Sequence, residues 1–171
     1  PHEFTPAEYK NIPMYPTIGQ LLTGEIPELS EDEINSARGA ILYIRIKDIQ
    51  QNKFTSSSTY LSPNASSSIK EQWKLNAGDV LLSKSATIGK TVLITAAFTF
   101  KNNVVDALAS SGLFVLRANK KLINPYYLHA YLKSMVVKEW LEDHARGTTI
   151  QHLSKSVLEK LTIPLPDLDI Q

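Results

Sequence analysis

Between Ile41 and Lys47 apolar and polar positions alternate, Leu42, Ile44 and Ile46 against Tyr43, Arg45 and Lys47. A period of two sends one set to a core and the other outward, so the run predicts a strand. Three further short apolar runs predict buried strands: Val80–Ser83 after the turn Asn76-Ala77-Gly78-Asp79, Thr91–Ile94 after Gly89, and Leu113–Leu116 after Gly112. Val104-Val105 adds another strand segment. The period then changes. Leu128, Tyr131, Leu132, Met135, Val136 and Trp140 recur at three- and four-residue steps, which predicts an amphipathic helix with one buried stripe. Asn124 can cap its first amides, and Pro125 costs nothing at the first helical position. A last short helix is expected from Ser154, where Leu153 and Leu158 have the spacing of a hydrophobic staple, with Val157 and Leu161 on the same side. Pro164 and Pro166 then forbid a helix or a central strand.

The remaining segments carry less pattern. Residues 1–29 are a proline-rich, irregular lead-in with a turn of helix at Ile18–Leu22. Ser30-Glu31-Asp32-Glu33 has capping-box spacing, which predicts a short helix from there to Arg38, stopped by Gly39. The polar stretch Gln50–Ser68 reads as a surface loop. Together these elements predict a mixed α+β fold: a single globular domain over residues 1–171, with a small, mainly antiparallel or mixed twisted sheet, one long amphipathic helix and a short C-terminal helix. Val80, Leu82, Leu113, Val115, Leu132, Trp140 and Ile163 are expected in the core. Leu128, Met135 and Leu158 are expected either there or against a partner.

Composition narrows the chemistry. A chain of 171 residues can bury a core without staples. With no cysteine it has neither disulfides, thiolate catalysis nor cysteine-based zinc sites, which fits a reducing, cytoplasmic setting. No apolar run approaches the length of a membrane span. The net charge is only +1, but it is divided: residues 1–83 carry seven Lys and Arg against ten Asp and Glu, and residues 84–171 carry eleven against seven. A nucleic-acid partner would require those cations to gather on one face, because attraction to phosphate is local and screened by salt.

Enzyme signatures fail on inspection. Ile88-Gly89-Lys90-Thr91 ends like a phosphate-binding loop, yet Lys84 stands where that loop needs its first glycine. Asn124-Pro125-Tyr126-Tyr127 is similar to the Asn-Pro-Pro-Tyr tetrad of amino-methyltransferases, but it opens a helix and has tyrosine at the third place. The four histidines, His2, His129, His144 and His152, show no metal-ligand spacing and default to surface positions.

Four blocks fall in the order of one family. They are Tyr43–Ile49; Gly78-Asp79-Val80-Leu81-Leu82-Ser83-Lys84 running on to Lys90; Gly112–Arg117 leading to Asn124-Pro125-Tyr126-Tyr127-Leu128; and Gly147-Thr148-Thr149-Ile150 through Leu161-Thr162-Ile163-Pro164-Leu165-Pro166. Over about residues 40–171 the chain resembles a target recognition domain of the specificity subunits of type I restriction-modification systems. It is also similar to the related domain fused to N6-adenine DNA methyltransferases. The resemblance implies a non-catalytic module that reads one half of a split target in double-stranded DNA. It also implies partners: a DNA methyltransferase subunit or fused domain using S-adenosylmethionine, and a restriction and translocase subunit. No cofactor is implied for this chain itself, and no membrane. A second recognition domain and long heptad helices are missing from the pattern, so a fragment or half-sized subunit is expected. A protein-interaction scaffold without DNA contact is the competing class.

Base reading needs donors and acceptors at groove edges, and holding the duplex needs cations at phosphates. Gln50, Gln51, Asn52 and Lys53 offer such groups in the polar stretch, and Tyr43, Arg45 and Lys47 would form a basic and aromatic strip on a strand. Ser83, Lys84, Ser85, Thr87 and Lys90 bracket the Gly89 turn. Arg146, Gly147, Thr148, Gln151 and His152 form the last candidate loop. Each group also has a plain alternative, as solvated surface or as turn stabilisation.

Overall fold

The computed structural model describes residues 15–23, 41–51, 53–54, 60–61, 74–85, 87–95, 107–145 and 152–171. At its centre lies a three-stranded antiparallel sheet. Strand β5 (Val80–Ser83) runs between β6 (Thr91–Leu93) and β8 (Leu113–Leu116), with Val80 opposite Leu93 and Leu116, and Ser83 opposite Leu113. All four residues of β5 are buried, because both faces of this sheet are covered.

Alternation along the strands sorts the core into two halves. Val80, Leu82, Phe114 and Leu116 point to a helical layer that brings Ile18, Leu21, Leu128, Leu132, Val137, Leu141 and Leu158. Leu81, Val92 and Leu113 point the other way, to Ile44, Ile49, Ile94 and Ala107. That second face is a mixed sheet. Strand β1 (Ile41–Ile44) pairs antiparallel with β4 (Tyr60–Leu61) and parallel with β7 (Ala107–Ala109). Beside β6 lies a two-stranded hairpin of β2 (Ile49–Gln50) and β3 (Lys53–Phe54). The expected mixed fold is therefore layered helix, sheet, sheet.

Among the described residues the helical layer has four pieces. Helix α1 (Ile18–Leu21) is tied by Ile18 N to Leu161 O at 2.7 Å. In α2 (Pro125–Leu132), Asn124 caps as expected, its side chain accepting from Tyr126 N at 2.9 Å. Helix α3 (Met135–His144) starts afresh at Ser134, and α4 (Lys155–Leu158) starts at Ser154, whose hydroxyl accepts from Val157 N. Leu153 and Leu158 are both buried, as the staple spacing requires. The tail is strapped to α2: Tyr127 donates to Pro164 O, and the Gln171 side chain accepts from Asn124 N at 2.7 Å and donates to Pro166 O at 2.8 Å.

Several expectations need correction. The long helix is two helices, because Ser134 accepts from Val137 N and restarts the chain; Met135 and Val136, placed in the buried stripe, are 64% and 63% exposed. Trp140 and Val115 lie partly buried against the core rather than within it. The strand from Ile41 ends at Ile44, since residues 46–48 form a 3-10 helix nucleated by the Asp48 carboxylate, which accepts from Arg45 N at 2.9 Å. The polar stretch after Gln50 is not all loop, for it holds β3 and β4. Strand β7 had no counterpart in the hydrophobic pattern, and Ser30–Arg38 and Val104-Val105 lie outside the described residues.

Candidate nucleic-acid interface

The central sheet has two unlike ends. At one, the Gly78 turn meets the segment after β8, where Arg117, Lys120 and Lys121 line a cavity of about 320 Å³ together with Asp79. At the other, β5 runs out into the Ser83–Lys90 turn. Here the separated blocks of the sequence converge. Lys84 N donates to Gly112 O at 3.0 Å, and Gly112 lies so close to Ile46 that a Cβ would come within 2.7 Å of Ile46 Cδ1. Leu153 N donates to Lys84 O at 2.7 Å, and Ser85 forms a β-bridge with His152. The 3-10 helix, the turn and the start of α4 thus share one rim.

The turn is built from within. Gly89 adopts φ +94, which a side chain would resist. The Ser83 hydroxyl, fully buried, donates to Thr87 O and accepts from Lys90 N at 2.8 Å. Ser83 therefore stabilises the turn and is not exposed to a ligand. Lys84 also departs from expectation: it is only 6% exposed, its ammonium 4.9 Å from the centre of the Phe114 ring, where the face of the ring offsets part of the cost of burial. What the turn presents outward is Thr87, exposed, with Ser85 and Lys90 half-buried.

The other candidates divide in the same way. Lys47, Gln50, Gln51 and His152 are exposed, and Gln51 turns the β2–β3 hairpin with φ +52. Arg45 is half-buried, its Nε 3.9 Å from an Asp48 oxygen, so it serves the 3-10 helix rather than a strip shared with Tyr43 and Lys47. Tyr43 and Lys53 are placed by their backbones, in β1 and β3. Asn52, Arg146, Gly147, Thr148 and Gln151 lie outside the described residues. On either side of residues 146–151, Ala145 closes α3 with its N–H on Leu141 O, and His152 is bridged to Ser85.

Sequence reasoning overlooked one strong pair. Asp79, 1% exposed, and Arg117 form a salt bridge at 2.8 Å at the opposite end of the sheet. Its members lie 38 positions apart, so no local pattern couples them, although each sits in one of the family-like blocks.

The fold of this chain is similar to that of several solved proteins. The HsdS subunit from Thermoanaerobacter tengcongensis matches with a TM-score of 0.65 at 19% identity, over 91% of this chain and 38% of that one. A chain of a type I R-M system, solved for its complex assembly and conformational transition, matches with a TM-score of 0.63 at 18% identity, over 98% and 40%. The S subunit from M. genitalium matches with a TM-score of 0.57 at 18% identity, over 96% and 36%. These likenesses concern the fold, and the chain spans less than half the length of each of those proteins. The family model of the type I restriction modification DNA specificity domain matches residues 17–171. By that match, over nearly all its length, this chain belongs to the family of type I restriction-modification DNA specificity domains.

Proposed function

We propose that residues 1–171 act as one non-catalytic DNA recognition domain, and that the rim around the Ser83–Lys90 turn is the surface that meets the duplex. One observation carries this reading: four segments far apart in sequence meet at a single edge, where Gly112 lies against Ile46 and accepts from Lys84 N, Leu153 N donates to Lys84 O, and Ser85 forms a β-bridge with His152. That edge carries Thr87, Lys90 and His152, Lys47 adjoins it in the 3-10 helix, and to it we assign the exposed Gln50 and Gln51 of the hairpin that follows: amides, a hydroxyl, an imidazole and cations. Lysines there hold phosphates, while glutamines address base edges. The domain reads one half of a split target and brings a DNA methyltransferase to it. That partner uses S-adenosylmethionine, and a restriction and translocase subunit joins the same cytoplasmic assembly.

The test is duplex binding at several salt concentrations. Lys47→Gln and Lys90→Gln should each weaken binding and lower the slope of log K against log salt by about one. Lys121→Gln, at the opposite end of the sheet, should change that slope by clearly less. If Lys121 carries the effect and Lys47 and Lys90 do not, the duplex lies at the wrong end of the molecule for this reading.

A further inference from the structure

Helix α3 finishes at the same rim. A Cβ on Gly89 would stand 3.3 Å from Leu141 Cδ1, so the last turn of α3 presses on the tip of the Ser83–Lys90 turn. Trp140 is packed against the helix-side core, and His144, one turn further on, is exposed. The two rings are stacked, with centroids 3.9 Å apart and planes 14° apart. His144 Nδ1 lies 2.7 Å from the Trp140 carbonyl oxygen. A carbonyl oxygen only accepts, so Nδ1 carries the proton of this hydrogen bond. In the neutral ring Nε2 is then a lone-pair acceptor.

The indole is fixed by the core, the stack fixes the plane of the imidazole, and the Nδ1 bond fixes its tautomer. A side chain ordered in this way has little rotamer freedom left to lose on binding. Phosphate oxygens, ring N7 atoms and base carbonyls bring no proton to an acceptor. In the major groove the donors are the exocyclic amino groups, N6 of adenine and N4 of cytosine.

We propose that His144 is a base-reading residue whose Nε2 accepts a hydrogen bond from the exocyclic amino group of an adenine or cytosine in the target half-site. This rests on the DNA-facing rim proposed above. His144→Phe keeps a flat ring on Trp140 and removes both nitrogens. Binding is measured for the full chain on a duplex carrying the preferred half-site, and on duplexes with each base pair exchanged singly. The variant should bind the preferred duplex about tenfold more weakly. At one adenine or cytosine position it should no longer distinguish the exchanged duplex, and its melting temperature should be unchanged. An equal loss on every duplex, or no loss, overturns the assignment. Lys90→Gln measured in parallel separates the two readings. If it weakens binding while His144→Phe does not, only the role of His144 fails; if neither variant matters, the rim itself is misplaced.

Discussion

Arg117 grips Asp79 at two points, Nε to Oδ1 at 2.9 Å and Nη2 to Oδ2 at 2.8 Å, across the end of the central sheet. The same guanidinium donates to Lys74 O at 3.2 Å, and Asp79 Oδ2 also accepts from Asn76 N at 2.7 Å. Two segments, the 74–79 turn that leads into β5 and the residue that follows β8, are thereby fixed together. The bond to Asp79 holds the arginine above its ordinary pKa, against the opposing effect of burial. Since the carboxylate is the more deeply buried partner, removing the arginine leaves the costlier orphan. Arg117→Met should lower the free energy of unfolding by roughly 3 kcal/mol, and Asp79→Asn by less. Urea denaturation of the two variants checks the order.

The sequence displays this architecture unevenly, for physical reasons. β5, β6 and β8 were legible because short apolar runs bounded by glycine turns have few other ways to be buried. The caps at Asn124 and Ser154 were legible because capping acts within three residues. The break at Ser134 is hidden in the sequence because Met135, Val136 and Trp140 continue the apolar spacing; only burial, which runs Leu128, Leu132, Val137, Leu141, shows a step of five that cannot stay on one helical stripe. Pairing of Ser85 with His152, or of Asp79 with Arg117, follows from how strands register in space, which no local pattern encodes. Candidate binding residues were therefore found as types, while their burial, as at Ser83 and Lys84, was not.

The Gly89 turn should be sensitive on two counts. Its φ of +94 costs an L-residue about 1–2 kcal/mol, and the added methyl would crowd Leu141. Gly89→Ala is expected to destabilise the fold by about that amount and to weaken DNA binding beyond it, because Lys90 and the end of α3 move with the turn. Ser83→Ala, which leaves the Lys90 amide without its acceptor, should cost about 1–3 kcal/mol. Thermal melts paired with duplex titrations distinguish loss of fold from loss of grip.

Ser134 and Met135 are neighbours with opposite expected consequences. Ser134→Ala removes the cap of α3 and should cost about 1 kcal/mol. Met135→Gln alters a side chain that is 64% exposed and should stay within about 0.5 kcal/mol. If Met135→Gln were the more damaging of the two in chemical denaturation, the helices would be continuous, with Met135 inside.

His129 gives the fold a dependence on acid. It sits on α2 with Nε2 buried and without a hydrogen-bond partner among the described residues. Burial, and then the charge of Lys133, push its pKa below the ordinary histidine value, against a hydrogen bond with the Thr91 backbone that favours protonation. The folded protein therefore keeps this ring neutral at a pH where the unfolded chain takes up a proton. In that window the unfolded state holds more protons, so stability falls as pH drops through about 6.5 and levels off below the folded-state pKa. Above about 6.5 the ring is neutral in both states and contributes no slope. Unfolding free energies measured between pH 8 and pH 5, for the native chain and for His129→Gln, isolate the contribution. The native curve should lose stability across that range faster than the variant, and parallel curves would mean that His129 titrates alike in the two states.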